Sequence, residues 1–474
     1  MQATEIRQVD VVVIGAGPAG LAAAATAAAH GARVVLLDEQ AQAGGQIYRD
    51  VDRVSPLRGA LLGADYVYGK TLIAAVGTTG VEHIRNAAVW MIESGFQVTY
   101  SCGQRSERVR SSQLILATGS LERPMPLPGW TLPGVMTAGA AQILLKQSGI
   151  ATRRAVLIGC GPLLYLVASQ LARAGAPPLA LLETQQPNDF KSSLRHWYGA
   201  LRAWPYLLKG ASMLMQLWRH RVPRYKAVRD IQIEGAQQAQ SVRFTHAGQT
   251  HRIACETVLL HHGVVPNTQI GRSLGVSHDW SDQGQCFVPR CNKWGETDVT
   301  GVFIVGDGAG IGGARVAELS GQIAALRVVA RLGRIDEPSA LRQAAPIFKR
   351  RDAEMAIRPF LDAAYPPFTQ ALQPADNTTV CRCEDVTAGA IRGYAKLGCM
   401  GPNQAKAFGR CGMGPCQGRF CGLTVSRLLA DAHGLTPDEV GYQRVRAPLK
   451  PVTLGELACM NSVHQPLNEE ARYG

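Results

Sequence analysis

At 474 residues, with 46% hydrophobic and 18% charged content, the chain has material for two or three cores and is too sparsely charged to be disordered. A formal net charge of +13 raises nucleic acid as a partner. The basic residues are scattered and no nucleic-acid motif appears, so an acidic protein face or an anionic cofactor is the expected counterpart.

The first apolar run opens with a strand, Asp10–Ile14, then the turn Gly15-Ala16-Gly17-Pro18-Ala19-Gly20, and an Ala-rich helix from Leu21 to His30. A second strand, Arg33–Leu37, ends at Asp38-Glu39. This is a βαβ unit in which glycines permit a tight turn and the helix N-terminus faces a pyrophosphate. Asp38 stands where an acid meets the adenosine ribose. The glycines interrupt the run, so it does not read as a membrane span.

Downstream, Leu114-Ile-Leu-Ala117-Thr118-Gly119 and Gly301-Val-Phe-Ile-Val-Gly306-Asp307-Gly308 read as strands that end in small-residue turns. Between them lies a second βαβ unit. Its strand Ala155–Ile158 leads into Gly159-Cys160-Gly161-Pro-Leu-Leu164, and Leu179–Leu182 is followed by Glu183. Leu164 occupies the place of the third glycine and crowds the phosphate approach. The unit reads either as an NAD(H) site, with Glu183 on the ribose, or as a retained fold that has lost or changed its nucleotide. Lys191–Lys226 is basic and aromatic, and reads as amphipathic packing on its domain, with a membrane-surface or partner helix as the alternative.

From Ile335 to Asp376 the chain is punctuated by prolines. Then come Cys381-Arg-Cys383 and Cys411-Gly-Met-Gly-Pro-Cys416-Gln-Gly-Arg-Phe-Cys421, five thiols for four ligand places in an iron–sulfur or a zinc site. The remaining cysteines are unpaired in sequence and read as structural, Cys160 among them, and His261-His262 reads as a satisfied loop pair. No close cysteine pair accompanies either dinucleotide unit. With no signal-peptide pattern over Met1–Val9, a reducing, cytoplasmic setting is expected.

The ordered set Gly15/Gly17/Gly20, Thr118-Gly119 and Gly306-Asp307 resembles the two-dinucleotide-binding, glutathione reductase-like flavoproteins. That resemblance implies FAD in the first unit, Asp307 on its ribityl or pyrophosphate region, and Gly44-Gly45-Gln46 as a loop beside the flavin. The two cysteine segments resemble the 2Fe–2S domain of bacterioferritin-associated ferredoxins, also found at the end of the anaerobic glycerol-3-phosphate dehydrogenase large subunit. Glu122–Trp130, Leu132–Gly139 and Gly306–Ala314 resemble the FAD-containing subunits of hetero-oligomeric amine dehydrogenases. That group includes the FAD-carrying chains of opine oxidase, D-hydroxyproline dehydrogenase and hydrogen cyanide synthase.

The implied fold is α/β, with two Rossmann-like dinucleotide-binding units followed by a small helical 2Fe–2S domain. Residues 1–150 and 266–335 would bind FAD, 151–265 form the second unit, and 336–376 link to the cluster domain at 377–435, with a surface tail at 436–474. The cofactor-binding set is Gly15, Gly17, Pro18, Ala19, Gly20, Asp38, Glu39, Gly45, Gln46, Ala117, Thr118, Gly119, Gly306 and Asp307. By the same resemblance the cluster ligands are Cys381, Cys383, Cys416 and Cys421, with Cys411 as a neighbour or alternative. The implied partner is a D-amino-acid-oxidase-like flavoprotein subunit that carries the amine-oxidising pocket, so no catalytic acid or base is assigned here. Two further components are left open: an FMN at a subunit interface, and a small ferredoxin-like subunit. Electrons are expected to leave through the cluster toward a respiratory acceptor.

Overall fold

The computed structural model describes residues 6–460; the last part of the expected tail, 461–474, lies outside them. Val11, Val12 and Val13 and their neighbours Val34–Leu37 are buried on both faces, as a parallel sheet covered by helices requires. Glu82–Ile84, Val34–Leu37, Arg7–Ile14 and Arg105–Leu116 lie side by side in parallel. Gln97–Cys102 and Ala88–Glu93 continue the sheet antiparallel. Val302–Ile304 joins Leu114–Leu116 at the far end of the long strand.

Two helices cover one face of this sheet. Pro18–Ala29 begins with proline at its first position, where no amide is needed. Ala314–Arg331 lies against it. The two come so close that a Cβ on Gly321 would stand 2.1 Å from the Ala19 carbonyl oxygen. Only glycine fits there.

The second unit is an all-parallel sheet of five strands, in the order Arg224–Tyr225, Ala180–Glu183, Ala155–Gly159, Thr257–His261, Val135–Thr137. Helix Pro162–Arg173 packs Leu164, Val167 and Leu171 on one face. An antiparallel ribbon of Arg229–Glu234, Ser241–His246 and Gln249–Ala254 brings Ile231, Ile233 and Phe244 to the other.

The 336–376 segment, read as a linker, contains a 19-residue helix, Glu337–Met355, that packs along Ala314–Arg331. Asp336 caps it through the Ser339 amide at 2.7 Å. Helix Arg358–Ala364 follows, and the chain then crosses the second unit before the cysteine domain. That domain packs helices Ala388–Lys396, Pro402–Gly409 and Gly422–His433 around Val380, Ile391, Val425 and Leu429.

The contacts that seat the cysteine domain on the rest include the following. Trp130 Nε1 donates to the Thr379 carbonyl at 2.6 Å, two residues before Cys381. The Arg272 guanidinium lies over the rings of Phe287 and Tyr442, 4.6 and 4.3 Å from their centroids, where the two rings meet edge to face. The stretch from Tyr442 to Lys450, expected to lie over the surface, forms a strap. Gln417 and Arg419 donate to the Pro448 and Leu449 carbonyls, and the Leu449 amide donates to the Trp90 carbonyl at 2.7 Å. A desolvated cation–π contact is worth about 2 kcal/mol. Arg272→Ala should therefore loosen the cysteine domain, seen as faster limited proteolysis between residues 365 and 378 at unchanged helix content by circular dichroism.

Candidate functional site

Three turns converge at the C-terminal ends of the parallel strands of the first unit, where open α/β sheets bind ligands. Gly15 has φ 105°, and a Cβ there would lie 2.5 Å from the Ala117 carbonyl oxygen. A Cβ on Gly20 would lie 1.8 Å from the Gly15 oxygen. Gly17 is different: nothing lies nearer its absent Cβ than the Gly45 Cα at 3.9 Å. The turn therefore keeps an open side, and Ala19 and Gly20 present first-turn helix amides there.

Asp38 is 7% exposed and accepts from the Ala16 amide at 2.5 Å and the Gln40 amide at 2.7 Å, which fixes the acid against the turn. Glu39 is exposed and paired with Lys450 of the strap. Beside this end, His83 Nε2 is buried without a partner. At the third turn Asp307 Oδ1 accepts from the Gly312 and Gly313 amides, both at 2.9 Å, and so shapes the loop that starts helix Ala314–Arg331. Thr118 Oγ1 donates to the Asn267 carbonyl at 3.4 Å, and the Asn267 amide donates to the Gly119 carbonyl at 3.0 Å. Asn267 Oδ1 is buried and unsatisfied. Unfilled glycine space, free helix amides and orphaned buried polar atoms at both ends fit an adenine dinucleotide.

One contributor is not legible in the sequence. Lys146, buried on helix Ala138–Ser148, donates to the Gln46 and Ile47 carbonyls at 3.1 and 2.9 Å and to Gln142 at 2.9 Å. It clamps the Gly44-Gly45-Gln46 loop, and burial, with Arg49 nearby, pushes its ammonium down to about 7. A lysine in a run of apolar residues gives no sign of that role. Lys450 gives none either, because its place depends on how the strap returns.

The second unit is built differently. Leu164 is fully buried in the helix–sheet core. Glu183, 1% exposed, is bound by Arg224 Nε at 2.6 Å and by Gln185 at 3.2 Å, so the ribose-type acid is already engaged. The chain lays Tyr365–Phe368 across the turn. Tyr365 meets the Tyr165 ring at 6.2 Å, Cys160 Sγ donates to the Pro366 carbonyl at 3.4 Å, and the Phe368 amide donates to His262 Nδ1 at 3.2 Å. His262 Nε2 is satisfied by the Pro124 carbonyl at 2.8 Å, and burial holds that imidazole neutral. His261 points Nε2 toward Gly161, with Nδ1 2.6 Å from Glu122.

Among the described residues no disulfide joins any two cysteines. Cys381, Cys411 and Cys421 bring their Sγ atoms within 4.8 Å of one another, all buried. Cys383, exposed, lies beside Cys416 in the same pocket. Cys411, expected as a neighbour or alternative, thus stands between two of the four expected ligands. Hydrogen bonds from Cys411, Cys421 and the Gly412 and Glu384 amides pull the Cys381 thiol far below the usual range. The loop geometry depends on glycines: a Cβ on Gly414 would meet the Cys383 Cβ at 2.3 Å. The Gln443 side chain fills the space beside Gly412 and Gly418 and donates to the Cys411 carbonyl at 3.3 Å. Sulfur-only donors at this spacing fit a thiolate-held cluster or zinc.

A cleft of about 740 Å³ lies elsewhere, where Asp189 and Arg195 of the second unit, Asp282, Asp362 and Arg427 of the cysteine domain face one another. It touches neither dinucleotide turn.

Comparison with known proteins agrees with this construction. Residues 9–324 match the model of pyridine nucleotide-disulphide oxidoreductases, and 375–461 that of the sarcosine oxidase A3 domain. The A subunit of opine oxidase from Agrobacterium tumefaciens (strain Ach5) is 45% identical over 464 residues, covering 95% of this chain and 91% of the relative. The chain belongs to this family of flavin oxidoreductases. Hydrogen cyanide synthase subunit HcnB of Pseudomonas protegens is 31% identical, covering 93% of this chain and 96% of that one. Among solved structures, L-proline dehydrogenase from P. horikoshii superposes with a TM-score of 0.69 at 16% identity, over 96% of this chain and 81% of that one. That likeness carries the fold. The family supports FAD, and its members named as subunits support a hetero-oligomer.

Asp307→Ala removes the anchor of the Gly312–Gly313 loop. A hydrogen bond to a charged group is worth about 1.5–3 kcal/mol, so FAD retention through gel filtration should fall about tenfold or more; full occupancy with an unchanged visible spectrum would contradict the assignment. Lys146 supplies a pH signature. Its folded pKa lies below the unfolded value, so unfolding takes up a proton between those values and stability rises with pH from about 7 toward the usual lysine range. In Lys146→Met that rise should disappear, as urea titrations at neutral and alkaline pH would show.

Proposed function

We propose that this chain is the FAD- and iron–sulfur-carrying electron-transfer subunit of a multi-subunit dehydrogenase. Its substrate would be a secondary amine or an amino-acid-like compound of the opine, D-hydroxyproline or glycine type. The observation that carries the reading is the five-thiol pocket, fastened to the second unit by Trp130 and to the first by Arg272 and by the strap. When bound, FAD supplies two-electron redox chemistry and a 2Fe–2S cluster single-electron steps.

The chain's own residues do the holding. The Gly15–Gly20 turn and Asp38 would receive the dinucleotide, Asp307 and Lys146 keep the two flanking loops in place, and the cysteine loops would hold the cluster. Two dinucleotide units and a cysteine domain account for the described residues and leave no separate substrate domain among them, which favours placing the amine-oxidising pocket on a partner flavoprotein of the D-amino-acid-oxidase type. The names of the relatives, opine oxidase and hydrogen cyanide synthase subunits, favour C–N chemistry for the complex.

The competing reading is a self-sufficient NAD(P)H-dependent reductase feeding a ferredoxin-like acceptor. Leu164 in the core, Glu183 held by Arg224 and Tyr365 across the turn disfavour it.

Two measurements separate these readings. The purified chain should reduce a dye with no amine from a substrate panel, and gain activity only when co-expressed with its partner subunit; robust turnover by the chain alone would refute the proposal. Anaerobic NADH should leave the flavin band unbleached, and rapid bleaching would promote the reductase. For the cluster, serine at Cys381, Cys383, Cys416 or Cys421 should deplete iron and the electron paramagnetic resonance signal of reduced protein, with Cys411→Ser retaining both. If Cys411→Ser abolishes the signal and Cys421→Ser preserves it, Cys411 is the ligand. Zinc without iron in anaerobically prepared protein would remove the cluster from the reading.

A further inference from the structure

The crossover from strand Ala180–Glu183 to its neighbour Arg224–Tyr225 carries far more chain than the single helix such a connection needs. Met213 and Leu217 of helix Trp204–Arg219 meet that need, being buried against Leu164, Val167 and Leu171. The surplus, expected to pack on its domain, does not. Trp197, Trp204 and Trp218 are 57, 58 and 76% exposed, and Tyr198, Leu201 and Leu208 are exposed beside them. Large aromatic side chains left in water together mark a contact surface.

Charge tells what kind of contact. From Lys191 to Arg229 the chain has nine lysines and arginines and no aspartate or glutamate. Some are engaged locally: Lys209 with Asp65, Arg224 with Glu183. Lys191, Arg202, Arg219 and Arg221 are exposed and have no ion-pair partner among the described residues. A specific protein interface uses charges of both signs to fix register. Within the segment the sign is uniform, with Asp65 and Glu354 reaching Lys209 and Tyr206 from outside it, and exposed tryptophans lie among arginines, which suits a fluid anionic surface.

We propose that the face formed by helices Trp197–Arg202 and Trp204–Arg219 docks this subunit on a bilayer rich in anionic phospholipid. Its tryptophans enter the headgroup region, and Arg202 and Arg219 meet lipid phosphates. No helix among the described residues is long and apolar enough to cross a membrane, so the contact is lateral. The proposal goes beyond the electron-transfer reading and does not need either cofactor.

The test is flotation of the full chain with vesicles of equal parts phosphatidylglycerol and phosphatidylcholine, against vesicles of phosphatidylcholine alone. The chain should float with the anionic vesicles only, with a blue shift of tryptophan fluorescence, and high salt should release it. The double variant Trp204→Ser/Trp218→Ser should bind about tenfold more weakly, and Arg202→Glu/Arg219→Glu likewise. All four positions are exposed, so circular dichroism and cofactor content should match the wild type. Failure of the wild type to float, or variants that float equally well, would overturn the proposal. So would wild type that ignores vesicles while the tryptophan variant breaks its complex with the co-expressed partner subunit, since a protein would then cover this face.

Discussion

In the first unit two helices meet backbone to backbone at Gly321, and the site is built on that contact. Gly321 faces the Ala19 carbonyl, and Gly306 packs on the Ala19 side chain. Any Cβ at Gly321 would force Ala314–Arg331 away from Pro18–Ala29. With it would go the Gly312–Gly313 loop, Asp307 and the register of three turns contributed by distant parts of the chain. The phosphate-type turn is local, made within a dozen residues. The site it belongs to is not, because its far wall comes from residues beyond 300.

The two dinucleotide units show how small changes separate a usable nucleotide site from a packing module. Both have the strand, the glycine turn and an acid at the end of the second strand. In the first, the helix start has glycine and the acid is held by backbone amides, which leaves the open side of the turn clear. In the second, leucine enters the core at the same place, an arginine neutralises the acid, and a tyrosine-proline segment from 365 to 368 covers the turn. Thr184 Oγ1 and Gln185 Oε1 are buried there without a partner, but Glu183, Cys160 and His262 make their hydrogen bonds within the chain. Opening that turn to a ligand would cost them.

Much of this is legible in the sequence because it is written in short-range chemistry. Strand, turn, helix and acid fall within thirty residues at each unit, and the cysteine spacing announces soft ligands. What escapes depends on long-range return of the chain. The prolines of 336–376 suggest a linker, yet Pro346 is accommodated within a helix that has a neighbouring helix to pack on. The tail after Val440 has no periodicity, since it makes its contacts one residue at a time. Lys146 gives no signal because its partners are backbone carbonyls, which leave no mark in a sequence. Ligand choice among five thiols is likewise beyond spacing, and the pocket groups Cys411 with Cys381 and Cys421.

The strap has a consequence for how the protein is made. Asp38 and Glu39 leave the ribosome early, whereas Lys450 and Leu449 are among the last described residues to emerge. During synthesis the adenosine end of the first site stands uncovered, and a dinucleotide meets no obstruction there. Once Gln443 enters the cysteine loop and Lys450 reaches Glu39, that end is capped by the same stretch of chain that braces the thiols. An order of loading would follow: a dinucleotide arriving before the C-terminus closes would find that end open, and one arriving later would have to part Lys450 from Glu39.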